Sequence, residues 1–337
     1  MVIDEIPTLA AARAGDQEAF KALVEPYRGE LQVHCYRFFG SLEDAEDMLQ
    51  ETLLRAWRRL DTYAGRASFR AWLYKIATNV CLDALDRYRV RSLPNLAQLS
   101  ATPGQPLPAA VLDPVWLDPL PDSLLGNAAA EPDAVYEIHE SVTLAFLAVL
   151  QQLPGRQRAV LILRDVLGFS ASETAQILDV TVAAANSALQ RARDTMQAGH
   201  KRPAVRPADE HVAHLLERYV RAWETADSEG LVSLLREDAI LTMPPLPAWY
   251  RGRADIRAFL DSFLFAGRPA GSFRLLPCQA NGVPGFALYE RDTAGDYRPG
   301  AVHLLTLEQG QIAEIHDFLA FDPHLFERLG LPLVVDR

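Results

Sequence analysis

Between Pro94 and His139 the chain has no Lys or Arg, while Asp113, Asp118, Asp122, Glu131, Asp133 and Glu137 make the stretch acidic and prolines recur throughout it. Proline lacks a backbone donor and breaks a helix from inside, so no long helix crosses this stretch. It reads as a flexible acidic linker. A length of 337 residues suits about two or three domains.

The formal net charge of −11 averages over opposite local signs. From Leu53 to Leu93 nine Lys/Arg face three Asp, a basic island, whereas from Pro203 onward 13 basic residues are outnumbered by 19 acidic ones. With 49% hydrophobic and 23% charged residues the composition is that of a soluble globular protein. No apolar run approaches a membrane span, and the first residues lack the basic and apolar halves of a signal peptide, so a cytoplasmic location is expected. Cys35, Cys81 and Cys278 are scattered without a CxxC or Cys/His cluster. They read as small buried hydrophobes, and no motif calls for a metal or a cofactor.

The N-terminal block is helical by pattern. In "SLEDAEDMLQETLLRAWRRLDTY", Ser41 suits an N-cap and Glu43, Asp44, Glu46 and Asp47 suit a helix start. Ala45, Met48, Leu49, Thr52, Leu53, Ala56 and Trp57 repeat at three and four as one buried stripe. After Gly65, Ser68 can cap a second helix whose inward face is Phe69, Trp72, Leu73, Ile76, Ala77, Val80 and Leu85. Arg70, Lys75, Asn79, Arg87 and Arg89 are left for solvent or a ligand. A helical bundle with a solvated basic face accounts for the charges alone. The mixture of Tyr63, Arg66, Phe69, Arg70, Trp72 and Tyr74 around a loop also suits single-stranded DNA, with rings for bases and cations for phosphates; Phe69 and Trp72 fit the core better.

Further on, "LPGRQRAVLILRDVLG" is a helix entered through Pro154 and stopped at Gly168. Ser170 and Glu173 form a capping-box pattern, Asp179-Val180 makes a turn, and Thr181 can cap the next helix. There Ala185, Ala188, Leu189, Ala192 and Met196 share one face, while Asn186, Ser187, Gln190, Arg191 and Arg193 present groups able to bond base edges and phosphates. Any helical hairpin of this length packs similarly, so a helix-turn-helix pattern by itself leaves DNA binding open.

The order of these parts resembles the sigma-70 superfamily, in particular the extracytoplasmic-function sigma factors of bacterial RNA polymerase. "DAEDMLQETLLRAWRRLDTYAGRASFRAWLYKIATNVCLDALDRYR" is similar to sigma region 2, and "LPGRQRAVLILRDVLGFSASETAQILDVTVAAANSALQRAR" to region 4. The resemblance implies that Asp44, Asp47, Gln50, Glu51, Arg55 and Trp57 lie in the surface that docks on core RNA polymerase. It implies that Tyr63, Arg66, Arg70, Lys75 and Asn79 hold the melted −10 element, and that Asn186, Ser187, Gln190, Arg191 and Arg193 meet the −35 element. Ala185 stands where Val or Ile is commoner. The acidic linker corresponds to the segment such factors thread through the polymerase.

From about Ala208 helical patterns give way to alternating stretches such as "FRLLPCQANG", "GFALYERD" and "AVHLLTLEQGQIAEIHDFLAF", which suggests helices on one face of a curved antiparallel sheet. This resembles the SnoaL-like, ketosteroid-isomerase-like cone. In that fold Trp223, Met243, Trp249, Tyr250, His303, His316 and Asp317 are candidates for lining a pocket, as are Phe259 and Phe263; core packing explains the same residues.

The expected architecture is therefore multidomain: residues 1–93 as an all-α region 2, 94–138 as linker, 139–202 as an all-α region 4 with a helix-turn-helix, and 203–337 as an α+β cone. The expected function is a sigma factor, not an enzyme, that binds core RNA polymerase and melts promoter DNA. Its C-terminal domain would modulate activity through a small-molecule ligand or an intramolecular contact, with no membrane partner. The alternatives are a small-molecule isomerase or cyclase fused to a DNA-targeting module, and a repressor that binds DNA without polymerase.

Overall fold

The computed structural model describes residues 5–65, 67–97, 99–111, 115–126, 137–199, 210–321 and 324–336. Two compact units emerge, and the chain passes between them more than once. One takes in Met1–Arg91 and Ser123–Lys201, the other Ser92–Asp122 and Arg202–Arg337.

The first unit is all helix. Its helices are α1 (Glu5–Arg13), α2 (Gln17–Phe39), α3 (Leu42–Arg58), α4 (Phe69–Ala84), α5 (Leu144–Leu150), α6 (Gly155–Leu161), α7 (Ala171–Ile177) and α8 (Val182–Gly199). Local chemistry sets the ends. Asp16 caps α2, and Gly40, at φ 67°, closes it with its N–H on the Tyr36 carbonyl. Ser41 accepts from Asp44 N at the start of α3, and Ser68 accepts from Ala71 N at the start of α4. Leu31, Cys35 and Phe38 of α2, Ala45 and Leu49 of α3, and Leu73, Ala77 and Cys81 of α4 are buried together as the core of this half. His34 is also buried; its Nε2 shares a 3.0 Å hydrogen bond with the Thr78 hydroxyl, and burial, aided by the charges of Arg37 and Arg70, pushes its pKa down to about 3.

The second unit is α+β. Helices α9 (Glu210–Glu224), α10 (Ser228–Ser233) and α11 (Arg253–Phe259) accompany a six-stranded sheet of β1 (Leu235–Thr242), β2 (Trp249–Arg251), β3 (Phe273–Ala280), β4 (Val283–Arg291), β5 (Tyr297–Glu308) and β6 (Gln311–Leu319). The strand order is β2-β1-β6-β5-β4-β3. The sheet is not wholly antiparallel as expected, because β1 runs parallel to β6. Helix α11 and four strands intervene between them, which gives the chain the length a parallel pairing needs.

The stretch expected to be a flexible linker is largely part of this second unit. Trp116, Leu117 and Leu120 are buried, and Ala101, Leu107 and Ala110 pack against the core of the cone. Ala101 N donates to the Trp249 carbonyl at 2.8 Å, and Val111 N to the Pro245 carbonyl at 2.9 Å. The Trp116 indole donates to Val111 O and Pro245 O, both at 3.2 Å. Leu120 and Asn281 exchange two bonds, Leu120 N to Asn281 Oδ1 at 2.9 Å and Asn281 N to Leu120 O at 2.8 Å. The spacing of Trp and Leu between prolines is what gives this acidic segment an apolar side to bury. Asp113, Glu131 and Asp133 lie outside the described residues.

Candidate nucleic-acid and polymerase interfaces

Helix α8 is built as expected. Ser170 and Glu173 complete a reciprocal capping box on α7. Asp179 takes the turn at φ 51°, and the Thr181 hydroxyl accepts from Ala184 N at 3.1 Å. Ala185, Leu189, Ala192 and Met196 are buried, so the small Ala185 is a packed core residue. Asn186, Ser187, Gln190, Arg191 and Arg193 are all exposed. Two of them have intramolecular partners: Gln190 Nε2 donates to Asp194 at 2.9 Å, and Arg193 forks onto Asp165 at 2.7 and 2.8 Å.

Of the residues expected at the −10 element, Tyr63 precedes α4, and Arg70, Lys75 and Asn79 lie along it. Tyr63, Phe69 and Trp72 form a ring cluster with centroids 5.4 Å apart in each pair, Phe69 and Trp72 nearly parallel. Phe69 is buried, whereas Tyr63 and Trp72 are half-buried. Arg66 lies outside the described residues. Arg70 is held by the Glu30 carboxylate at 3.0–3.2 Å, with its guanidinium carbon 4.8 Å from the Tyr74 ring centre and 5.2 Å from that of Phe169. Lys75 donates to Asp179 at 2.7 Å and to the Gln176 carbonyl at 2.9 Å. Asn79 is half-buried. Arg70 and Lys75, expected to be left for solvent or a ligand, are thus each partnered within the chain while remaining partly exposed.

On α3, Asp47 and Gln50 are exposed. Arg55 bonds Glu51 at 2.6 Å and Asp83 at 2.9 Å, and those two carboxylates raise its pKa. Asp44 pairs with Arg91 at 2.6 Å in a largely buried bridge, and Trp57 packs edge-on against Phe20 at 5.0 Å. Asp44 and Trp57 thus carry structural contacts as well as lying on the expected docking face.

The residues proposed to line a pocket are mostly core. Trp223, Met243, Tyr250, His303, His316 and Asp317 are at most 2% exposed. Trp249 is half-buried against residues 92–122, Phe259 is buried on Tyr250, and Phe263 is exposed. His303 on β5 and Asp317 on β6 are cross-strand partners, with Nε2 and Oδ1 3.4 Å apart, and His303 Nδ1 shares a 2.8 Å hydrogen bond with the Tyr219 hydroxyl of α9. Burial, then the Asp317 charge, pushes the Tyr219 hydroxyl well up. Tyr219 was missed in the sequence, although it stands four residues before Trp223 on the same helix face. His316 bonds Thr242 at 2.9 Å and Glu314 at 3.1 Å.

Comparison with known proteins agrees with the three-part reading. The profile Sigma-70 region 2 matches residues 23–91, Sigma-70, region 4 matches 143–196, and the SnoaL-like domain matches 216–315. The chain is 43% identical over 328 residues to the ECF RNA polymerase sigma factor SigG of Mycobacterium tuberculosis, covering 96% of this chain and 86% of that one. The chain belongs to the extracytoplasmic-function sigma factors. SigW of Bacillus subtilis is 27% identical over 185 residues, which cover 55% of this chain and 90% of its own. In fold, this sigma factor resembles the crystal structure of Mycobacterium tuberculosis SigJ, with a TM-score of 0.57 at 23% identity, covering 93% of this chain and 99% of the other. It is a promoter-recognising initiation factor of RNA polymerase with a SnoaL-like domain at its C-terminal side. Among the described residues no helix is long and apolar enough to cross a membrane.

Proposed function

We propose that this sigma factor reads the −35 element with the outward side of α8, meets the melted −10 strand with the Tyr63–Asn79 segment, and docks on core polymerase through α3. The observation that carries the reading is the division of α8 into a buried apolar stripe and a side carrying Asn186, Ser187, Gln190 and Arg191, all exposed. The SnoaL-like domain modulates activity by holding residues 92–122, which in the working complex would be threaded through the polymerase. It acts without catalysis, in the cytoplasm. Run-off transcription with purified core on genomic fragments tests this: selective initiation only with both components is expected, while tight site-specific duplex binding without core would favour a repressor.

The Tyr219, His303 and Asp317 cluster favours a second reading, small-molecule chemistry inside the cone. His303 Nε2, Asp317 Oδ1 and the Trp223 indole nitrogen are buried without hydrogen-bond partners among the described residues. Purified SnoaL-like domain showing no heat of binding to a panel of small carbonyl compounds would argue against it.

A further inference from the structure

For a helix that meets DNA, α8 carries little charge. Its cations are Arg191 and Arg193, and Arg193 is already committed to Asp165. Phosphate contacts supply affinity for any sequence, whereas hydrogen bonds to base edges supply discrimination, so this helix is weighted toward the second. Asn186, Gln190 and Asp194 recur every four residues and form one exposed row along the outward side. An aspartate in such a row repels phosphates and works against binding. It has a partner that accounts for its presence: Gln190 Nε2 donates to Asp194 Oδ1 at 2.9 Å.

An untethered glutamine amide turns either end outward. It then donates to O6 and N7 of guanine or to O4 of thymine as readily as it pairs with adenine. A carboxylate only accepts, so Asp194 takes one N–H and keeps the amide oxygen off its own side. The carbonyl oxygen and the second N–H are left for DNA. One acceptor beside one donor matches the N6 amino group and N7 of adenine, while guanine sets two acceptors against them and leaves Oε1 facing a lone pair.

We propose that Gln190 reads an adenine of the −35 element and that Asp194 is the positioning residue that holds its amide in the reading orientation, at some loss of affinity for DNA as a whole. This rests on α8 being the helix that meets the −35 element.

The test uses the full-length protein bound to core RNA polymerase. A promoter fragment found by run-off transcription has its −35 segment randomised as duplex DNA, and sequencing of the retained fraction gives the preference at each base pair. One position should favour adenine by about 10-fold or more, the worth of a bidentate pair. Gln190→Ala should flatten that position and no other. Gln190→Glu, whose ionised side chain only accepts, should move it to cytosine. Asp194→Ala should flatten the same position while retention of non-promoter duplex at low salt rises by about 2- to 5-fold, because a repelling charge has gone. A merely structural loss would lower both. Asp194→Asn, which keeps an acceptor without the charge, should retain the adenine preference. Asp194→Ala with that preference intact, or with every position flattened alike, overturns the positioning role. Gln190→Ala that flattens no position, or Gln190→Glu that still favours adenine, overturns the adenine reading. If the unmodified protein shows no preference anywhere in the −35 segment yet still requires a particular −10 sequence, the assignment of α8 itself has failed and the role of Gln190 falls with it.

Discussion

Arg193 grips Asp165 with two parallel bonds, Nε to Oδ2 at 2.8 Å and Nη2 to Oδ1 at 2.7 Å, so one of the basic residues on the outward side of α8 is already committed within region 4. Its neighbour Arg191 is exposed on the same helix. The two arginines should therefore separate on mutation. Arg191→Ala should weaken −35 recognition by about 1–3 kcal/mol while leaving core binding intact. Arg193→Ala should mainly cost fold stability, roughly 0.2–1 kcal/mol because the pair is partly exposed. Holoenzyme binding to −35 variants, set beside thermal unfolding of each mutant, checks the split; equal losses of recognition would show that the Asp165 pairing does not persist on DNA.

His34 makes the N-terminal half sensitive to acid. Its folded pKa, about 3, lies below the unfolded value of 6.5, so between these values the unfolded chain binds more protons. Stability from this group is complete above pH 6.5 and is lost as pH falls toward 3, at up to about 1.4 kcal/mol per pH unit. His34→Gln, which keeps a donor for Thr78, should flatten that part of the profile. Urea unfolding of both proteins at pH 7.5 and 5 measures the difference; parallel losses would assign the acid sensitivity to other groups.

Trp116 anchors residues 92–122 by burying its ring and sharing its indole N–H between two carbonyls. Trp116→Ala should cost about 3–5 kcal/mol of that local packing. Hydrogen exchange should speed up across Ser92–Asp122 while strands β4 to β6 stay protected. Uniform loss of protection would mean that this segment is a structural member of the cone and not a detachable one.

The His303 and Asp317 pair should behave as a unit. Removing either partner leaves the other buried and unmatched, so Asp317→Leu should destabilise the second unit by about 3–5 kcal/mol. The double variant His303→Leu/Asp317→Leu should cost less than the two single changes added together, with a coupling of about 1–3 kcal/mol in a denaturation cycle. Strict additivity would show that the 3.4 Å approach contributes nothing.

What could be read in the sequence is what is decided within a few residues. Ser41, Ser68, the Ser170 and Glu173 box and Thr181 mark their helix starts by reaching three residues ahead, and the apolar stripe of α8 fixes its outward side. Pairings made across the fold left no such mark. Glu30 is 40 residues from Arg70 and Asp179 is 104 from Lys75, so two cations that looked free from their local pattern are in fact partnered. The parallel neighbourhood of β1 and β6 was invisible for the same reason. In residues 92–122, charge and proline outweighed the signal of Trp116, Leu117 and Leu120, because apolar residues spaced by prolines follow neither helical nor strand periodicity.

Trp116 and Pro245 are separated by 129 residues, and Leu120 and Asn281 by 161. During synthesis at about 5–20 residues per second, the segment that these contacts secure would wait roughly 6–30 s for its receptor surface to leave the ribosome. Regions 2 and 4 are complete well before then. Each newly made molecule therefore passes through a brief youth in which the segment proposed to thread the polymerase is unclaimed, and a core enzyme met at that moment would find it ungoverned.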